Sequence, residues 1–316
     1  MLGAVTNGPS SGAITRAIRS RPATSTDDLR AAGELMARPW LAGSPLAFAT
    51  PAGIEWWHAQ SWPDALEDHL RLWSDGDDLV AWTWHEVGEV EWMNWSGDPA
   101  RDADVTETIV EAALAEASGR SLGVWTDEAD AATLEILARH GFAAKGRRLS
   151  QWQRRADDRP ITPVAPPDGY TIRGLRGPEE WAARVDVHRA AFAPSRLVVE
   201  KYERLASLPH YRAEDDLVAE APDGTLAAFA LSWWDPLGRV GEFEPVGTHP
   251  DHQRRGLSRA ILTQGLARLF ERGADVVQVY SDASEAGPEA LYASAGFRRH
   301  AIHQRYERPA TLESAT

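Results

Sequence analysis

Gln253, Arg254, Arg255 and Gly256 have the chemistry of an anion site, and they stand just before an amphipathic run in HPDHQRRGLSRAILTQGLARLFERG, His249 to Gly273. A helix start presents unpaired backbone N–H groups and the positive end of the helix dipole. Together these bind phosphate well. Gly256 removes a side chain where a pyrophosphate would lie against the backbone, and Arg254 and Arg255 add charge-assisted contacts. The pattern is neither GxxxxGK[ST] nor GxGxxG, which excludes a nucleotide-triphosphatase loop and a dinucleotide fingerprint. Just upstream, VGEFEPVGT carries Glu242 and Glu244, which strand alternation places on one face. His249 and His252 flank Asp251 in a loop setting that reads as solvated histidines, and no metal is expected. There is no Ser-His-Asp order and no GxSxG. The chain has no cysteine, which excludes thiolate catalysis, disulfides and Cys-ligated metals.

The elements around this stretch form a regular series. TIRGL is a short strand, Pro178 opens a helix running toward Phe192, and SRLVVEKYERLASL gives a second short helix. A meander follows: strand DLVAEA, a turn at Pro222-Asp223-Gly224, strand TLAAFALSWW, turn DPLG and strand VGEFEPVGT. Leu257, Ile261, Leu262, Leu266, Leu269 and Phe270 share one helical face that ends at Gly273. VVQVY is a buried strand, and GPEALYASAGF a helix with its stop. Such an order describes an α/β sandwich over one mixed sheet.

The same series occurs twice. WTDEADAATLEILARHGF, Trp125 to Phe142, aligns without a gap with YSDASEAGPEALYASAGF, Tyr280 to Phe297, at an offset of 155 residues. GEVEW at Gly88 matches GEFEP at Gly241 at an offset of 153. A duplicated domain is therefore expected, with residues 1–157 and 170–316 as the copies and the proline-bearing stretch 158–169 as linker. In the first copy Val105, Ile109, Val110, Ala113 and Leu114 keep the helix, but no glycine follows Pro99 before it, and Asp102 and Asp104 bring negative charge to its start. Those aspartates suit the dipole and repel a pyrophosphate. Trp40, Trp56, Trp57, Trp62, Trp73, Trp82, Trp84, Trp92, Trp95 and Trp125, out of 14 tryptophans in the chain, fall in the first copy, where they serve a core and an interdomain face or form a wall for a ligand.

With 316 residues the chain is long enough for two cores. Its formal charge of −14 argues against nucleic acid as a partner and permits a cationic substrate. No apolar run has the length of a membrane span, and MLGAVTNGPSSGAITRAIRSR lacks a basic segment followed by an apolar core, so no secretory leader and a cytoplasmic location are expected.

HPDHQRRGLSRAIL resembles the acetyl-CoA motif of the GNAT acetyltransferases, Q/R-x-x-G-x-G/A, with Gln253, Gly256 and Ser258 at its defined positions, and LYASAGF resembles the family's closing L-Y-x-x-x-G-F. The resemblance covers roughly Tyr170 to Arg308. It implies two tandem GNAT-like acyl-CoA N-acyltransferase domains, each a mixed central sheet flanked by helices, with the first degenerate. It implies acetyl-CoA between the strands ending VGT and VVQVY, its pantetheine arm on the backbone of Val246, Gly247 and Thr248. The pyrophosphate would lie on the N–H groups of Arg254, Arg255, Gly256, Leu257, Ser258 and Arg259. Glu285 stands where many relatives have a pantetheine-binding asparagine, seven residues before Tyr292. Tyr292 matches the family tyrosine that protonates the departing sulfur, whereas its repeat counterpart is Leu137. Glu242 and Glu244 are the candidate bases, with Glu89 and Glu91 at the matching places in the first copy.

The implied activity is acetyl-CoA-dependent N-acetyl transfer to a primary amine of a small acceptor, by a monomer or homodimer. Two other readings stay open: a module that binds or senses acetyl-CoA without turnover, and a purely structural scaffold.

Overall fold

The computed structural model describes residues 18–311; the leader reading, which rests on the first residues of the chain, falls mainly outside them. The first half contains β1 (Ile18–Pro22), α1 (Thr26–Leu41), α2 (Pro51–Gln60), β2 (Leu70–Asp75), β3 (Asp78–Glu86), β4 (Glu89–Asn94), α3 (Pro99–Ala117), β5 (Leu122–Asp127), α4 (Ala131–Arg139) and β6 (Ala143–Arg155). The second contains β7 (Thr171–Gly174), α5 (Trp181–Ala191), α6 (Val199–Ala206), β8 (Asp216–Glu220), β9 (Leu226–Asp235), β10 (Val240–Thr248), α7 (Leu257–Glu271), β11 (Val276–Asp282), α8 (Ala286–Ser294) and β12 (Arg298–Arg308). Strand and helix alternate in the same order in both, as expected from a duplication. Among the described residues no helix is long and apolar enough to cross a membrane.

The halves share one 12-stranded sheet in the order β1-β2-β3-β4-β5-β12-β6-β11-β10-β9-β8-β7. All neighbours are antiparallel except β4–β5 and β10–β11. The final strands are exchanged. β6 closes the first half in sequence yet pairs with β11, Val276 opposite Arg155 through Asp282 opposite Leu149. β12 returns to β5, His303 opposite Asp127 through Arg308 opposite Leu122. The two exchanged strands also pair with each other. Residues 158–169 connect the two sequence copies, but the sheet does not divide there.

Helices cover both faces. Residues alternating along β8 show how: Leu217 and Ala219 join the cluster under α7 and α8, whereas Val218 joins the cluster under α5 and α6. The latter also takes Ala52 and Ala59 of α2, so a helix of the first half packs on the sheet of the second. Glu55 of α2 accepts from the His210 ring at 2.7 Å, and Lys201 donates to the carbonyl of Gln60.

The exchange makes folding a property of the whole chain. A fragment of residues 158–316 alone lacks β6 and leaves the β11 edge unpaired, the template for aggregation. It is expected to be insoluble or unfolded by circular dichroism, and co-expression with residues 1–157 is expected to restore a soluble pair. A soluble, cooperatively melting 158–316 would contradict the exchange.

Candidate active site

β10 and β11 run together only from Val240 opposite Val276 to Phe243 opposite Val279. On its other side β10 skips register against β9 between Phe243 and Val246, then resumes with Val246, Gly247 and Thr248 opposite Ala230, Phe229 and Ala228. Pro245 lies in the skip and has no N–H to give a ladder. Beyond Phe243 the β11-facing edge of β10 therefore has no strand partner, which leaves the backbone of Val246 to Thr248 open on that side. Gly247 itself is dictated by packing, since a Cβ there would stand 2.4 Å from the Phe229 ring.

A short 3-10 turn at Pro250–His252 leads into the cradle. Arg254 and Gly256 both take left-handed backbone, φ 59° and 82°. Gly256 N-caps α7 with open space where a Cβ would be. Gln253, Arg254, Arg255 and Arg259 are exposed, while the Leu257 side chain is buried, so that residue offers only its N–H. Ser258 and Thr248 join by their hydroxyls, tying the helix start to the end of β10. Arg255 donates to the Tyr170 hydroxyl at 3.1 Å and to the carbonyl of Asp251 at 3.2 Å. Tyr170 in turn meets Nδ1 of His252 at 2.8 Å. The glycine, the uncapped helix start and the unbridged strand edge fit a phosphate-bearing thioester cosubstrate.

The first half has the same splay, with β4 and β5 paired only at Glu89–Gly123 and Val90–Val124. Its helix start is acidic and capped. Asp98 caps α3 by accepting from Ala100 N at 3.0 Å, and Asp102 accepts from Ser96 N at 2.6 Å. One carboxylate thus takes a helix-start donor, the other a loop N–H just before it, and both bring negative charge to where a phosphate would lie. Asp104 lies 3.7 Å from Arg101.

A cavity of about 680 Å³ opens where β10 and β11 part, and both halves line it. Tyr292, Phe243, Glu244, Val246 and Glu285 come from the second half, and Trp57, Trp82, Trp84, Glu91 and Trp125 from the first. Tyr292 is 5% exposed, held between Trp152 and Phe297, and its hydroxyl has no hydrogen-bond partner among the described residues. Burial, with the charges of Glu244 and Glu285, raises its pKa, which keeps the phenol protonated. Glu244 is half-buried with no side-chain partner among the described residues; burial, then the neighbouring Glu242, pushes its carboxyl up to about 8. Glu242 is buried and differently engaged. Its Oε2 accepts from the Thr50 hydroxyl and from Gln278 Nε2 at 3.2 Å. Gln278 also donates to the carbonyl of Phe48 at 2.7 Å and accepts from Gln151 at 2.7 Å, and Tyr280 donates to the same Phe48 carbonyl at 3.1 Å. Glu285 is exposed and caps α8 by position without a side-chain bond.

Of the residues singled out from the sequence, Tyr292, Glu242, Glu244, Val246 and Glu285 line the cavity, and Gln253 to Arg259 surround the start of α7. Thr50, Gln278 and the loop around Phe48, which bond to Glu242 and its neighbours, are not singled out, because they lie far from the motif in sequence and carry no pattern of their own. The tryptophans serve both roles weighed for them: Trp73 and Trp92 pack in the core under α3, whereas Trp57, Trp82, Trp84 and Trp125 wall the cavity.

A model described as the Acetyltransferase (GNAT) family matches residues 181–297. A mycothiol acetyltransferase of Thermomonospora curvata is 32% identical over 201 residues, covering 62% of this chain and 67% of its own. One of Sanguibacter keddieii is 30% identical over 228 residues, 66% of this chain and 71% of its own. Among solved structures, a tandem GNAT protein from the clavulanic acid biosynthesis pathway superposes with a TM-score of 0.63 at 13% identity, over 94% of this chain and 100% of its own. A GCN5-related N-acetyltransferase from Sphaerobacter thermophilus gives 0.60 at 18% identity, over 95% and 98%.

Proposed function

The chain belongs to the GNAT acetyltransferase family as a tandem GNAT protein, and on that premise we propose that its second half transfers acetyl from acetyl-CoA to a primary amine of a small molecule held in the shared cavity. The observation that carries this is the continuity of the cavity from Tyr292 to Glu244 across the gap between β10 and β11. The cosubstrate would lie on the open backbone edge of Val246, Gly247 and Thr248, and on the N–H groups from Arg254 to Arg259 at the start of α7. Gln253 and the side chains of Arg254 and Arg255 would border its phosphates, and Glu285 its pantetheine arm. When bound it supplies an acetyl thioester, whose carbonyl the amine attacks and whose sulfur leaves as a thiol.

Glu244 is assigned the base. An amine nucleophile must shed a proton, and a half-buried carboxyl with a pKa near 8 is matched to that task around neutral pH. Tyr292 is assigned the acid, since it holds its proton in a buried position on the same cavity. Glu242 is a strut: its Oε2 is taken by Thr50 and Gln278, and it joins the α2 start to the central strands. The first half is read as silent toward acetyl-CoA because aspartates cap its helix start and bring negative charge there.

Calorimetric titration with acetyl-CoA is expected to give one site per chain. Gly256→Glu is expected to lose it. Gly256→Ala, which meets the same positive φ without a carboxylate, separates backbone strain from occupancy of the cradle. Two sites would revive the first half; no binding to wild type would overturn the reading. Release of free thiol with a panel of primary amines, the acceptor of the mycothiol acetyltransferases included, separates an enzyme from a module that only binds.

A further inference from the structure

The first half contributes more to the cavity than a wall. Glu91 on β4 is the repeat counterpart of Glu244, and the register sets it directly opposite Trp84 of β3. The two carboxyls face one space, since Glu91, Glu244 and Tyr280 all line the same cavity; burial and the charges of Glu242, Glu91, Asp127 and Glu244 push the Tyr280 phenol up.

Among the described residues, three other acidic groups around this space are matched, and the two that are not, Glu86 and Glu285, are exposed. Glu89 pairs with Arg305 at 2.6 Å and accepts from the Trp125 indole at 3.3 Å. Asp282 pairs with Arg147 at 3.1 Å. Glu242 is engaged by Thr50 and Gln278. Glu91 has no hydrogen bond or ion pair among the described residues, although burial, then Glu86 and Glu89, raises its carboxyl to about 8. A poorly solvated carboxyl without a partner is costly once charged.

A second observation is independent of the acids. The indole N–H groups of Trp82, 0% exposed, and Trp84, 3% exposed, are buried with no partner, and both residues line the cavity. Buried donors in native proteins are almost always satisfied. Two left open on one wall point to an occupant that completes them. The same indoles, with Trp57 and Trp125, offer aromatic faces of the kind that attract a cation.

We propose that Glu91 binds a second cationic nitrogen on the acceptor, so that the acceptor is a diamine: one amine presented to Glu244 for acetylation, the other held at Glu91 among the tryptophans. Duplication would then have been put to a new use. The first copy has an acidic helix start in place of the glycine turn and keeps the strand carboxylate as a specificity residue. This rests on the acetyltransferase reading above.

The test compares thiol release with a homologous series of α,ω-diamines and with the monoamine of each chain length, on wild type, Glu91→Gln and the rim variant Glu86→Gln. Wild type is expected to favour diamines by about tenfold or more in kcat/KM, as a charge-assisted contact allows. In Glu91→Gln the diamine KM is expected to rise by about tenfold or more with kcat little altered, collapsing that ratio, while Glu86→Gln keeps it. No diamine preference in wild type, or an equal collapse in Glu86→Gln, overturns the inference and leaves the acetyltransferase reading intact. Absence of thiol release with every amine overturns that reading instead. Calorimetry with the diamines on wild type and Glu91→Gln then still decides the second-cation site: equal affinity for the two would sink it.

Discussion

Replacing Glu244 by glutamine is expected to lower kcat by about 10²- to 10⁴-fold, the usual contribution of a positioned general base. The substitution keeps size and hydrogen-bonding shape and removes only the proton acceptor. The pH profile is the sharper readout. A carboxyl raised to about 8 is mostly protonated at pH 6 and mostly ionised at pH 9, so wild-type kcat should climb with pH and level off above about 8. In Glu244→Gln that limb should vanish. The effect on stability has the opposite sign. A folded-state pKa above the unfolded value means the fold binds the proton more tightly, so stability falls as pH rises from the ordinary carboxyl range through about 8. Glu244→Gln removes that loss, and its Tm at pH 9 should match or exceed wild type. A variant that lost activity together with Tm, while keeping its pH limb, would make Glu244 structural and reopen the assignment to Glu242.

Tyr292→Phe should produce a loss of similar size, about 10²- to 10⁴-fold in kcat, with acetyl-CoA affinity retained. The phenol makes no hydrogen bond among the described residues, so its removal strands no partner. The ring keeps its packing against Trp152 and Phe297. The melting temperature should therefore be unchanged or slightly raised, because a buried hydroxyl without a partner is itself a cost. Raised by burial and by the charges of Glu244 and Glu285, the phenol holds its proton throughout the pH range in which Glu244 titrates. The two substitutions should thus differ in kind: Glu244→Gln flattens the rise of kcat with pH, whereas Tyr292→Phe lowers the whole curve and leaves its shape. Wild-type kcat in Tyr292→Phe would remove the acid from the mechanism.

The legibility of the site followed distance along the chain. The cradle could be read because a turn and a helix start are local: Gly256 needs its positive φ and α7 begins at the next residue. Glu242 and Glu244 could be placed on one face because strand alternation is local too. Their division of labour could not, since it depends on Thr50, 192 positions away, and on Gln278, 36 positions away. Alone, the sequence presents two equivalent carboxylates; the tertiary contacts occupy one and leave the other open.

The duplication is the larger instance. Repeated blocks, alternating apolar faces and turn residues determined the α/β class, the order of elements, the glycine-led helix start of the second half and the acidic one of the first. All of these arise from interactions within a few residues. Only the tertiary structure decided that β6 pairs with β11 and β12 with β5, because strand pairing across the two halves joins residues more than 120 positions apart. It also decided that α2 lies on the other half's sheet and that Glu91 and Glu244 face one cavity. Those outcomes are set by how apolar surfaces from distant segments are buried together, and no local pattern records that choice.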